Sequence, residues 1–320
     1  MSFSARTDLA IEASAMLARK PGDTIDGVQV DNYSKESVNV TKVRIENETG
    51  AEKIGKPIGN YVTIECEELR TSDEAALEVS KEVLKAELRE LADINDDSVV
   101  LIVGLGNRFV TPDALGPNVA DAIYVTRHLF SEMPESVSDD MRSVCAVAPG
   151  VLGITGIETL EIIKGITERV KPDLIIAIDA LASRSMSRIS TTIQLADTGI
   201  TPGSGIGNKR MGINEETLGV KVIAIGVPTV VDAATVANDA LELMMNSINE
   251  NVGQDTSLAK ALAFLNDENR YSLIQQVLYP YVGNLIVTPK EVDSIIEGVS
   301  RVIYESINCS IVSKSGNIPG

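Results

Sequence analysis

"SVVLIVGLGNRFVTPDALGPNVADAIYVTRHLF", residues 98–130, and "DLIIAIDALASRS", residues 173–185, decide the fold. Each opens with a continuous apolar run bounded by turn residues, the pattern of a strand buried on both faces. The first run passes through a turn punctuated by Gly and Pro into a helical stretch, with Pro117 at its start and His128 late in the same helix. "SVCAVAPG" (143–150) reads as the next strand. "TGIETLEIIKGITERV" (155–170) reads as a helix whose Thr155 and Glu158 fit a capping box. "TTIQLADTG" (191–199) is a shorter strand, with an antiparallel setting open to it, and "VKVIAIGVP" (220–228) is another. Asp232 is placed to cap the helix "DAATVANDALELMMNSI" that follows.

Upstream, "GNYVTIECEEL" (59–69) predicts one more strand and "DEAALEVSKEVLKAELREL" (73–91) a long charged amphipathic helix. A helical excursion is expected over 251–281, and a closing helix over 288–307 with Pro289 in its first turn. Strand–helix alternation of this kind predicts an α/β fold, a mostly parallel central sheet with helices on both faces.

Composition narrows the chemistry. The chain has 320 residues, 44% hydrophobic but only 3% aromatic, with no Trp, so aliphatic side chains must build the core. Lys and Arg number 28 against 46 Asp and Glu, a net charge of −18. Such a polyanion is repelled by nucleic acids and acidic membranes, so no direct nucleic-acid partner and no membrane are expected. No signal peptide and no run of 18 apolar residues is found, which predicts a cytoplasmic protein. Cys66, Cys145 and Cys309 lie far apart without a Cys-x-x-Cys, so no disulfide framework or zinc site is indicated. With a single histidine, no Gly-x-Ser-x-Gly and no His-Glu-x-x-His, a hydrolase built on this chain would work through carboxylates. No cofactor and no metal are expected.

Open α/β sheets gather their sites at the carboxyl ends of the strands. Two acidic residues fall there: Asp113 in the long turn after the first strand, and Asp179 directly after "LIIAI". Two carboxylates sharing one proton can serve as base and acid. Equally, Asp113 can be a turn residue and Asp179 a helix cap. Asp197 stands in an Asp-Thr-Gly, the signature tripeptide of pepsin-like proteases, but no second copy occurs. "GLGN" is no dinucleotide fingerprint, because Phe109 stands where Gly is required. "GSGIGNK" (203–209) matches a phosphate loop only loosely.

"GLGNRFVTPDALGP", "VAPGVLGITGIET", "IAIDALASRS", "DTGITPGSGIGNKR", "VPTVVDA" and "VTPKEVD" together resemble the germination proteases of spore-forming bacteria, along nearly the whole chain. The resemblance implies an endopeptidase that degrades the small acid-soluble proteins coating spore DNA, made as a self-processing zymogen, homotetrameric, and located in the spore core. It implies Asp113 and Asp179 as the catalytic pair and sets Asp197 aside as a loop residue near the site. Asn107, Ser183 and Arg184 flank the pair as candidate supporting residues. The family's processing pattern fits Thr7-Asp8-Leu9-Ala10, so the cut is expected between Asp8 and Leu9, with 1–8 a propeptide and 9–320 a single peptidase domain.

The fold also looks related to hydrogenase maturation endopeptidases, which makes a nickel-dependent enzyme of that type the alternative. Their acidic motif is broken here at Pro112-Asp113-Ala114, and only His128 could supply an imidazole. A non-catalytic acidic binding protein is the alternative outside enzymology. It would tolerate Asp113→Asn, which a protease would not.

Overall fold

The structure, a computed structural model, describes residues 25–201, 211–252, 267–283 and 285–316. Its strands are β1 (Val28–Lys35), β2 (Val38–Ile45), β3 (Gly59–Glu65), β4 (Val99–Gly104), β5 (Ser143–Val147), β6 (Leu174–Ser183), β7 (Thr192–Ala196), β8 (Lys221–Asp232) and β9 (Ile286–Val287). They form one sheet in the order β1-β2-β3-β7-β8-β6-β4-β5, with β9 added to the end of β8. Four strands, β8, β6, β4 and β5, run parallel. The pairings on the other side, β1 to β2, β2 to β3, β3 to β7 and β7 to β8, are antiparallel.

The α/β class is as expected, but the sheet is mixed rather than mostly parallel. The hairpin β1–β2 carries Asn, Thr, Lys and Arg between its apolar residues. That alternation suits a strand buried on one side, and reading only for apolar runs passes over it.

The helices are α1 (Glu48–Ile54), α2 (Glu74–Ala92), α3 (Leu115–Asp121), α4 (Arg127–Glu132), α5 (Leu152–Thr155), α6 (Thr159–Val170), α7 (Glu215–Leu218), α8 (Ala233–Val252), α9 (Asp267–Val282) and α10 (Val292–Ile307). Helices α2, α3 and α10 cover one face, where Leu84, Leu115 and Ile303 pack with Ile102, Ile176, Ile178 and Ile225. On the other face Ile163 of α6 packs on Leu101, Val103, Ile175 and Val222. Further along that face, Ile54 of α1 meets Val43, Ile45, Tyr61 and Ala196. Each aliphatic side chain buried this way stabilises the fold by about 1.5–3 kcal/mol.

Helix α2 shows how the sequence builds one layer. Asp73 accepts the Ala76 N–H at 3.0 Å, and Leu77, Leu84 and Leu88 recur on one buried stripe. Asp93, at φ 42, ends the helix in the left-handed region.

Several boundaries differ from expectation. The helix expected from Pro117 to His128 is two, because α3 stops at Asp121 and Thr126 leaves it to bond β5: its N–H reaches Val144 O at 2.9 Å. His128 is therefore exposed near the start of α4, not late in a long helix. No capping box opens α6; Glu158 is its cap without a side-chain bond, and Thr155 closes α5 instead. Helix α10 starts at Val292, past Pro289. Asp232 does accept the Ala234 N–H, at 2.7 Å. Asp8 and Leu9, and the stretch 203–209, lie outside the described residues.

Candidate active site

Strand β4 ends where helix α3 begins to press on it. A Cβ on Gly104 would overlap Gly116 O, and a Cβ on Gly116 would stand 2.6 Å from Ile178 O and closer still to the backbone of Leu105. Only glycine at 104 and 116 permits this approach, which holds the loop between them against the end of β4 and the middle of β6. Gly106, at φ +110, turns the chain there. The loop closes as a 3-10 turn, Thr111–Asp113.

Asp113 is tied back into this loop. Its Oδ2 accepts the Asn107 N–H at 2.8 Å, and its own N–H donates to Val110 O at 2.8 Å. The loop is also tied to the sheet: Thr229 Oγ1 of β8 donates to Pro112 O at 2.7 Å. Asp179 lies one residue beyond Ile178, whose carbonyl accepts the Leu105 N–H at 2.8 Å. It is only 7% exposed, and its Oδ1 accepts the Ala180 N–H at 3.0 Å. Asp113 thus lies in the loop after the carboxyl end of β4, whereas Asp179 lies within β6, one residue past the rung where β4 ends. The expectation that its strand stops there is corrected, because β6 runs on beside β8 to Ser183.

The supporting candidates divide. Asn107 is spent on the loop itself, its Oδ1 accepting the Phe109 N–H at 3.0 Å. Ser183 ends β6 and closes its own turn, donating to Ser185 O at 2.7 Å and accepting the Ser185 N–H at 3.1 Å. Arg184 follows it, half-buried.

Asp197 is elsewhere. Its Oδ1 accepts the Asn60 N–H at 2.8 Å, and its Oδ2 the Asn60 amide at 2.6 Å. Gln194 pairs with Gly226, the partner of Asp179, and β7 runs from there toward the amino ends of β6 and β8. Asp197 is consequently about 10 Å down the sheet from the Asp179 rung, at roughly 3.3 Å per residue. It is a turn residue directly after β7, and it fastens that turn to β3. Beside it, burial first and the Asp197 carboxylate second push the Tyr61 phenol up to about 12, against a lowering bond to Thr198.

Sequence reading missed the groups that brace the loop after β6. The Arg70 guanidinium donates to Ile189 O (2.8 Å), Ser187 O (3.1 Å) and Met186 O (3.3 Å), and Asp239 accepts the Met186 N–H at 3.0 Å. Neither residue sits in a motif; no local signal marks them. Burial pushes the Cys66 and Cys145 thiols up, away from a reactive thiolate. Among the described residues no group of three or more His, Cys, Asp or Glu is placed to hold a metal ion, and no helix is long and apolar enough to cross a membrane.

The germination protease family model matches residues 5–265 and 251–317. The chain belongs to the germination protease family. It is 50% identical over 306 residues to the germination protease of Caldanaerobacter subterraneus subsp. tengcongensis, covering 96% of this chain and 94% of that one. The germination protease of Clostridium perfringens is 48% identical over 310 residues, covering 97% and 95%. That of Bacillus cereus is 42% identical over 345 residues, covering 97% and 94%. The crystal structure of a [NiFe] hydrogenase maturation protease from Thermococcus kodakarensis aligns with 45% of this chain and 80% of its own, at 21% identity and a TM-score of 0.30. Family membership makes the chain a protease, a hydrolase acting on protein substrates.

Proposed function

We propose that this protease starts the breakdown of small acid-soluble, DNA-protecting spore proteins during germination, in the spore core, and that Asp113 and Asp179 carry its chemistry. Supporting the reading are the place of Asp113 in the loop after β4, the place of Asp179 on the neighbouring strand one residue past the rung where β4 ends, and membership of this family.

Between them the pair holds one proton. The ionised carboxylate takes a proton from water as the water oxygen adds to the scissile carbonyl carbon. The protonated partner then gives its proton to the departing amide nitrogen as the C–N bond breaks. A new carboxyl and a new amine leave, and the pair still holds one proton with the roles exchanged. The loop that fixes Asp113 also presents Phe109, 79% exposed, and Val110, 46% exposed. These are suited to grip an apolar residue beside the cut.

The chain is proposed to be made as a homotetrameric zymogen that cuts itself between Asp8 and Leu9. A nickel-dependent maturation reaction is not favoured. His128 stands by the amino end of β5, next to Thr126, whose hydroxyl bonds Arg142 O and Val144 N, at the opposite end of the sheet from the aspartates.

The test is intact mass after incubation at mildly acidic pH, for wild type, Asp113→Asn and Asp179→Asn, together with cleavage of a small acid-soluble spore protein. Loss of residues 1–8 and substrate cleavage in wild type alone is the expected result. Cleavage retained by either variant removes that aspartate from the mechanism.

A further inference from the structure

Asp179, Gly226, Gln194 and Thr63 stand side by side on β6, β8, β7 and β3. Residues on one rung point to the same face of a sheet. Gly226, in the middle, carries no side chain, and Leu181 leans across it: a Cβ there would stand 2.8 Å from Leu181 Cγ. Two residues earlier on β7, on the same face, Thr192 stands opposite Glu65, whose carboxylate pairs with Arg188 at 3.1 Å.

This strip is polar and unsatisfied. Thr63 Oγ1, Thr192 Oγ1 and Gln194 Oε1 are buried, and none has a hydrogen-bond partner among the described residues. The opposite face of the same two strands carries Val62, Ile64, Ile193 and Leu195, fully apolar. Interior hydroxyls and amides without partners are destabilising, and a side chain of matching shape without the polar atom relieves that cost. Three such groups in one patch, beside a proposed catalytic aspartate, fit a site whose partners arrive with a ligand.

The chemistry of the patch selects the ligand. Two hydroxyls and a carboxamide donate and accept without net charge, which suits peptide groups rather than an ion. Gln194 is two strand spacings from Asp179, about 10 Å, a length that an extended chain covers in roughly three residues. We propose that Gln194, with Thr63 and Thr192, binds main-chain peptide groups of the polypeptide substrate about three residues from the bond cut at Asp113 and Asp179. Leu181 changes rotamer to open the way between them. The inference rests on the function proposed above.

The test compares steady-state cleavage of two peptides by wild type, Gln194→Leu and Thr63→Val. One peptide extends five residues on each side of the cut and the other only two. With the long peptide, each variant should show KM raised about tenfold, the worth of a single good hydrogen bond, and kcat within twofold. With the short peptide the variants and wild type should agree, and Tm should not fall. Unchanged KM on the long peptide in a variant with equal or higher Tm overturns the inference alone, leaving the strip as interior filled by water. Equal losses on both peptides overturn it too, as general damage. A wild type that cuts neither peptide takes the proposed function down with it.

Discussion

The two halves of the sheet solve different problems. The parallel half, β8-β6-β4-β5, is covered on both faces, and its strands β4 and β6 carry runs such as Leu174–Ile178, buried throughout. Asp113 lies in the loop after β4, and Asp179 lies within β6, one residue beyond the rung where β4 ends. The antiparallel half, β1-β2-β3-β7, alternates apolar and polar residues, and β1 is largely exposed. Its aspartate, Asp197, is held by both atoms of its carboxylate on one asparagine. Two aspartates that each follow apolar residues are thus placed differently, Asp179 within β6 beside the end of β4 and Asp197 fastening the turn after β7 to β3. Topology, not the neighbouring residues, separates them.

Exchanging charge for shape tests that contrast first. Asp113→Asn or Asp179→Asn should lower turnover by about 10²–10⁴-fold while Tm stays within a few degrees. Asp197→Ala should do the reverse, costing about 2 kcal/mol in urea unfolding with turnover within twofold. Similar turnover losses at all three positions would erase the distinction.

Packing gives the next effect. Gly116→Ala drives a methyl into the Leu105 backbone and Ile178 O, and should cost about 3 kcal/mol or prevent folding. Gly165→Ala, in the middle of α6 with open space around it, should instead stabilise by about 0.5–1 kcal/mol. A thermal-shift comparison of the two reads both signs.

In the antiparallel half, Tyr61 sets an alkaline limit. Its phenol titrates near 10 in the unfolded chain and is pushed up to about 12 in the fold. The folded state therefore holds the proton more tightly. Its contribution is complete below pH 10 and is lost as pH rises from 10 toward 12. Tyr61→Phe should flatten that part of a stability–pH curve. The smallest effect belongs to the surface: Glu74→Gln, breaking the 2.7 Å pair with Arg301, should change stability by no more than about 0.5 kcal/mol.

Reading the sequence found the parallel half because burial on both faces leaves an uninterrupted apolar signature. The same reading missed β1 and β2, whose alternating residues carry no such run. It placed Asp113 after the end of β4, where turn residues mark the end locally, but it took the apolar run before Asp179 for the strand's end, whereas β6 continues beside β8 to Ser183. The bond that holds Asp197 could not be read, because its partner Asn60 lies 137 residues away in sequence. Arg70 and Asp239, which brace the loop after β6, were silent for the same reason: their contacts cross between elements.

That separation also sets a timetable. Strand β3 has β2 on one side from the start, but its other neighbour, β7, is made 137 residues after Asn60. At about 5–20 residues per second, a ribosome needs on the order of ten seconds to supply it. During that interval Gly59–Glu65 offers an open row of backbone donors and acceptors to any passing strand. Pairings of such long range also close slowly. The newborn chain is therefore most exposed to mispairing on the half of the sheet that carries none of the proposed catalytic residues.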